Sequence, residues 1–231
     1  MTDPRCNSAV AAQRPSTPIE DVVPPPCVVV FDLGKVLLDF DFGLMARSLA
    51  ECSRAGEAEI RELLDQSPLL HRYETGLMET GTFIDEVGRR IGFRETSDVF
   101  ARSFGNIFTP IAPMIQLQQD LRRSGVRTVI FSNTSELAVR HIRAEFPFFA
   151  EFDHYVYSYE ERAMKPLPAS YESVERRTGH RLGEILYIDD RRENVDGGAS
   201  RGWRVIWHRD PAETVALVRR HMGHHRVDPA P

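Results

Sequence analysis

Cysteine is scarce in this sequence: Cys6, Cys27 and Cys52 are three in 231 residues. An odd number without metal-like spacing argues against a disulfide framework and for a reducing compartment. Cys27, beside an apolar stretch, reads as small core filler. Long apolar runs are also missing, and nothing approaches the roughly 20 residues that a bilayer span requires. No stretch near the start has the apolar length of a signal peptide, so a cytoplasmic location is expected and a membrane partner is not. Nor does one sign of charge dominate: 29 Lys and Arg stand against 34 Asp and Glu, a net charge of −5. The two signs are interspersed, so the sequence lacks the basic field that non-specific nucleic-acid binding draws on. There is no internal repeat.

What is present suits an enzyme of ordinary size. The hydrophobic fraction of 42% and charged fraction of 27% are those of a globular chain able to bury a sizeable core. At this length one large domain, or one domain carrying an insertion, is expected. Pro4, Pro15, Pro18 and Pro24-Pro25-Pro26 mark residues 1–26 as a flexible Pro-rich leader. Residues 223–231 read as a polar tail, so His224 and His225, together with His221 just before it, are taken as exposed and not as a metal site.

Three short apolar runs share one shape: Cys27 to Phe31 stops at Asp32, Val126 to Phe131 at Ser132-Asn133, and Ile185 to Ile188 at Asp189-Asp190. Such runs read as strands buried on both faces. Weaker strands are expected at His154 to Ser158 and Trp203 to Trp207. Helical patterns lie between them, one opening at Pro113 and stopping at Gly125, another from Ser135 to Phe146. Alternation of this kind predicts an α/β fold with a Rossmann-like parallel sheet, in which ligands bind beyond the carboxyl ends of the strands. Residues 40–112 break the pattern, because their apolar residues recur at helical spacing. They read as a helical cap inserted after the first strand, where it can exclude water. The core is then 27–39 together with 113–222.

The polar residues at the strand ends supply the parts of a phosphoryl-transfer site. Asp32 can attack phosphorus to give an acyl-phosphate. Asp32, Asp189 and Asp190 offer the carboxylates that one Mg²⁺ prefers, and a divalent cation relieves their mutual repulsion. Ser132 and the amides after it, beginning at Asn133, can donate to phosphate oxygens, and Lys165 can neutralise nucleophile and phosphate. Asn194, four residues after Asp190, can orient a carboxylate or a metal-bound water.

Carried on these residues, the sequence resembles the haloacid dehalogenase-like (HAD) hydrolase superfamily. Its four motifs occur in order over residues 28–199, as VVVFDLGKVLLDFD, VIFSNT, the Lys of AMKP and ILYIDDRRENVDGGA. The resemblance implies a cap of the first class between motifs one and two, and RYETGLMETGTF is similar to a segment common in such caps. It implies Asp32 as nucleophile, Ser132 and Lys165 as phosphate ligands, and Asp189 and Asp190 as metal carboxylates. Phosphatases of the superfamily usually carry a second Asp two residues after the nucleophile as general acid and base, but here that residue is Gly34. Gly34 retains a backbone carbonyl, the group this position gives to the metal in relatives. DLGKV is most similar to the DLGNV form of bacterial sugar-phosphate phosphatases, including glucose-1-phosphate phosphatase-like proteins, which also have Gly there.

The expected activity is therefore Mg²⁺-dependent hydrolysis of a small phosphorylated metabolite, such as a sugar phosphate, by a monomer or homodimer. His71, Glu74 or the substrate itself replaces the missing acid, although His71 also reads as a plain helix-surface residue. Two alternatives remain open: a 2-haloacid dehalogenase using the same Asp, and a non-catalytic phospho-ligand-binding protein.

Overall fold

A computed structural model describes residues 24–223 apart from Gln66. Most of the expected leader and all but the first residue of the expected tail, with His224 and His225, lie outside these residues; His221, expected to be exposed, is instead the half-buried last residue of the final helix. In chain order the first elements are β1 (Val28–Phe31), β2 (Leu38–Phe40), α1 (Phe42–Glu51), α2 (Glu57–Leu64), α3 (Pro68–Glu74), α4 (Thr80–Ile91), α5 (Ser97–Gly105) and β3 (Phe108–Pro110). Then come α6 (Ala112–Arg123), β4 (Arg127–Ser132), α7 (Glu136–Glu145), β5 (His154–Tyr157) and α8 (Ser158–Glu161). The last are α9 (Pro168–Thr178), β6 (Ile185–Asp189), α10 (Arg192–Ser200), β7 (Arg204–Trp207) and α11 (Pro211–His221).

Every residue of β1 is buried, which requires a neighbour on each edge and a layer on each face. Both are present. β1 pairs in parallel with β4 and with β6, and the five-stranded sheet runs β5-β4-β1-β6-β7. Side chains alternate along the strand: Val29 and Phe31 join Met114 and Leu117 of α6, Ile142 of α7 and Val218 of α11. Val28 and Val30 point the other way, to Tyr171 and Val174 of α9 and to Trp203. The chain is thus an α/β protein with a parallel sheet between helical layers.

Local chemistry fixes the helix ends. Pro113 sits in the first turn of α6, where its missing N–H is not needed, and Gly125 beyond the helix takes φ 79°, a left-handed conformation that suits glycine. The Ser135 hydroxyl accepts from the Ala138 N–H at 3.4 Å and caps α7 directly after the β4 loop.

Between β1 and α6 the five helices α1 to α5 share a core of their own, including Met45, Leu49, Ile60, Phe83, Val87 and Phe100, with Tyr73 stacked on Phe83 at 4.2 Å between ring centres. This segment is not helical throughout. β2 and β3 pair antiparallel, Leu38 with Pro110 and Phe40 with Phe108, so a short ribbon brackets the helices. Three-residue strands are too short to register as a period of two, so the sequence pattern leaves Leu38 and Asp39 unassigned within the core segment and takes Phe40 and β3 into the helical stretch. Cys27 also departs from expectation: it is exposed, one residue before the buried strand begins.

Candidate active site

Parallel register carries Asp32, Ser132 and Asp189 to the same end of the sheet. Phe31 stands opposite both Ile130 and Ile188, and the Asp32 N–H donates to the Ile188 carbonyl at 2.9 Å. Asp32 is 7% exposed and accepts from the Leu33 N–H at 2.7 Å. Lys165 reaches this point from the loop before α9. Its ammonium meets Asp32 Oδ1 at 2.9 Å and Asp189 Oδ2 at 2.7 Å, and donates to the Phe131 carbonyl at 2.9 Å. Three acceptors match its three protons. Burial works against the Lys165 charge, but Asp189 and Asp32 outweigh it and hold the ammonium above its usual range.

The carboxylates divide the labour. Asp189 is fully buried, and each oxygen is already occupied. Oδ1 accepts from the Arg191 N–H at 2.8 Å and Asn194 Nδ2 at 3.0 Å, while Oδ2 accepts from Lys165 and from the Tyr187 hydroxyl. Burial raises the Asp189 carboxyl, but Lys165 and these donors prevail and lower it. Asp32 goes the other way: burial first, then the charges of Asp189 and Asp190, push it up to about 8 against the pull of Lys165. Asp190, partly exposed in the cavity, is raised by burial and by Asp189. Asn194 lies 2% exposed, and its Nδ2 donates to both oxygens of Asp189, at 3.0 and 3.2 Å.

Asn133 has separate uses for its side chain and its backbone. Its side chain clamps the Lys165 backbone, donating to the Lys165 carbonyl at 2.9 Å and accepting from the Lys165 N–H at 2.8 Å. What Asn133 retains for a ligand is its own backbone. Ser132 is 3% exposed and lines the cavity beside it.

Gly34 also lines the cavity. A Cβ added there would stand 2.8 Å from Cε1 of Phe40, so the ring fills the space a side chain would need. Lys35 secures that ring, lying 4.6 Å over its centre and bonding to Asp39 and to the Phe40 carbonyl at 3.0 Å.

The cavity has a volume of about 630 Å³. Asp32, Gly34, Lys165 and Asp190 form its floor, and Ser67, Leu70, His71 and Glu74 come from the helical segment. Oxygen ligand atoms of Asp32, Asp189 and Asp190 lie within 4.8 Å of one another. An all-carboxylate set suits a hard cation such as Mg²⁺, and the raised Asp32 and Asp190 carboxyls are what a divalent charge would relieve, so the donor set fits that ion. Tyr187, Lys35 and Phe40 join the site without having been anticipated. Tyr187 sits inside an apolar strand run, and nothing in its spacing separates it from core.

A family profile described as haloacid dehalogenase-like hydrolase matches residues 28–202. The chain belongs to this family. The HAD-like chain is therefore a hydrolase, and the fold agrees with solved relatives. A HAD family enzyme from Bacteroides thetaiotaomicron, in complex with magnesium and inorganic phosphate, superposes with a TM-score of 0.71 at 20% identity, covering 78% of this chain and 93% of that one. A predicted HAD-like family hydrolase from Porphyromonas gingivalis gives 0.70 at 24% identity over 83% and 98%. The L-2-haloacid dehalogenase from Xanthobacter autotrophicus gives 0.57 at 21% identity over 78% and 76%. Haloacetate dehalogenase H-2 of Moraxella sp. (strain B) is 31% identical over 87 residues. That match spans 38% of this chain and 39% of the relative. The HAD-like neighbours thus include a magnesium- and phosphate-bound protein as well as dehalogenases. Among the described residues no helix is long and apolar enough to cross a membrane.

Proposed function

We propose that this HAD-like hydrolase is a Mg²⁺-dependent phosphohydrolase of small phosphorylated metabolites, sugar phosphates foremost, with Asp32 as covalent nucleophile. The observation that carries the reading is the acidic cluster of Asp32, Asp189 and Asp190 gathered around one buried Lys165. A site that displaces halide from carbon has no use for three adjacent carboxylates, whereas a site for a phosphate dianion needs a cation to balance them.

Lys165 pulls Asp32 towards its anionic form against burial and keeps it aimed, because its ammonium is fixed from behind by Asp189 and the Phe131 carbonyl; the charge of a bound Mg²⁺ would complete the ionisation. Ser132 and the amides that follow donate to the phosphate oxygens as charge builds on them. Asp189, held by Asn194 and Tyr187, orients Lys165 and the start of α10. Mg²⁺, held by Asp32, Asp190 and the Gly34 carbonyl, with Asp189 beside them, would supply charge neutralisation between nucleophile and phosphate. Magnesium and phosphate in the Bacteroides neighbour support this assignment. A polar cavity of about 630 Å³ suits a small metabolite, and the cap residues Ser67, His71 and Glu74 would meet its non-phosphate part.

The test is phosphate release by the full chain from sugar phosphates, nucleotides and acyl phosphates, with Mg²⁺ and with chelator, beside Asp32→Asn. Release with Mg²⁺ is expected, falling to background with chelator or in the variant. Halide release from 2-haloacids that survives chelation, with no phosphate from any ester, would establish the dehalogenase instead. Mg²⁺-dependent phosphosugar binding without turnover would establish a binding protein.

A further inference from the structure

We propose that Glu74 is the general acid and base that Gly34 cannot supply. This rests on the phosphohydrolase reading above. Phe40 closes the position two residues after the nucleophile, so a replacement must enter the cavity from another element, carry an exchangeable proton and stay fixed relative to the phosphate loop. The other ionisable groups around the cavity are committed or badly placed. Lys35 is bonded to Asp39 and Phe40, the Arg191 guanidinium to Glu193, Lys165 to Asp32 and Asp189, and Asp190 stands in the carboxylate cluster. His71 also lines the cavity, but it is open to water, and among the described residues its ring makes no hydrogen bond that would fix it.

Glu74 is different. It lines the cavity, and among the described residues its carboxyl makes no hydrogen bond or ion pair. Glu74 is half-buried, and a carboxylate partly withdrawn from water with no partner holds its proton more tightly. Burial alone pushes Glu74 up to about 8. No neighbouring charge contributes, neither Lys35, His71, Asp190 nor Arg191 around the cavity, nor Glu160 and Glu161 on α8, which packs against α3.

Its backbone is also anchored to the loop that would hold the phosphate. The Ser158 hydroxyl donates to the Glu74 carbonyl at 2.6 Å and accepts from the Thr134 N–H at 2.9 Å, two residues beyond Ser132. One residue on, the Thr75 hydroxyl meets Met164 Sδ at 3.0 Å, next to Lys165. Gly76 follows at φ 69°, where its lack of a Cβ lets the backbone close onto the Tyr159 carbonyl. The end of α3 is thus fixed to both loops that bear Ser132 and Lys165.

In the first half-reaction an Asp32 oxygen bonds to phosphorus as the bond to the ester oxygen breaks. The Glu74 proton passes to that oxygen, an alcohol leaves, and Glu74 becomes a carboxylate. In the second, water bonds to phosphorus as the Asp32–phosphorus bond breaks, and its proton returns to Glu74. The sum is ester plus water to alcohol plus phosphate.

The test compares Glu74→Gln with wild type, full chain with Mg²⁺, on p-nitrophenyl phosphate and on alkyl phosphates. kcat/KM reports the steps through departure of the alcohol. For alkyl esters it should fall by about 100-fold or more, and for p-nitrophenyl phosphate, whose leaving group needs no proton, by less than about tenfold. E74Q should also give a stoichiometric p-nitrophenol burst, because the second step lacks its base, whereas Asp32→Asn should give none. Equal losses on both ester types, or no loss on either, would overturn the role of Glu74 and leave that of Asp32 standing. No turnover of any ester by wild type would remove both. A metal-free readout is thermal unfolding. An acid whose folded pKa is raised from 4.5 to about 8 costs stability that sets in above 4.5 and is complete above 8. The gain in melting temperature of E74Q over wild type should therefore be larger at pH 8 than at pH 5, and a loss at both pH values would mean that Glu74 is a charged structural partner. If E74Q does not fold, Glu74→Asp, which keeps the acid one methylene back, should show the same preferential loss on alkyl esters to a smaller degree, and an unselective loss would again overturn the proposal.

Discussion

Lys165 offers three protons to three acceptors, and two of those acceptors are carboxylates from different strands. That arrangement explains why Asp32 and Asp189, similar in sequence, behave oppositely: Asp189 has a full set of donors and sheds its proton readily, whereas Asp32 has fewer and is raised by burial and by its acidic neighbours. Each of the residues Asp32, Ser132, Asp189, Asp190 and Asn194 could be read from the sequence because it follows an apolar run or stands at a fixed offset from one, whereas Lys165, in a polar loop, was legible only through the resemblance of AMKP to the third motif. Tyr187 could not be read, being apolar by pattern and polar by one atom, nor could the clamp that the Asn133 side chain places on the Lys165 backbone. The steric account of Gly34 is testable at this scale. Gly34→Asp should not restore an acid, because its Cβ meets Phe40 at 2.8 Å. Urea melts should show it less stable than wild type by about 1–3 kcal/mol, the usual cost of overpacking, and Phe40→Ala in the same chain should recover part of the loss. A Gly34→Asp protein as stable as wild type would show that the ring moves aside freely.

Of the five strands in the sheet, β1, β4 and β6 were readable because each is an apolar run closed by polar residues, and β5 and β7 as weaker patterns. The β2–β3 ribbon was not, since strands of three residues carry too little pattern to stand out beside the helices that follow β2 and flank β3. Contacts between distant segments were equally invisible. Ser158 carries no signal in the sequence, yet its hydroxyl joins α3 to the loop after β4. The Tyr73 hydroxyl makes a second link, accepting from the Leu137 N–H at 3.1 Å at the start of α7. Together they make the end of α3 a fixed wall of the site, so a swinging cap would have to hinge elsewhere. Ser158→Ala should leave a buried N–H and a carbonyl without their partner. Denaturant unfolding should register about 1–3 kcal/mol of lost stability, with a fall in kcat/KM on alkyl phosphates that exceeds the fall on p-nitrophenyl phosphate. Unchanged stability and kinetics would mean that the link does not position Glu74.

For the whole molecule, the alternation of strand and helix was enough to name an α/β parallel sheet and to place the site beyond its strand ends, because both follow from chain geometry. What the fold does not decide is the atom attacked, since HAD-like relatives of the same architecture include dehalogenases and a phosphate-bound enzyme. The distinction lies in the charge balance around Asp32. The most direct measurement is a rapid acid quench of the full chain with Mg²⁺ and a substrate labelled in its phosphoryl group, followed by peptide mapping. Label bound covalently to the peptide containing Asp32, and lost in Asp32→Asn, is the predicted result. Phosphate released with no label ever on the protein, or no release beside halide displacement from a 2-haloacid, would contradict it.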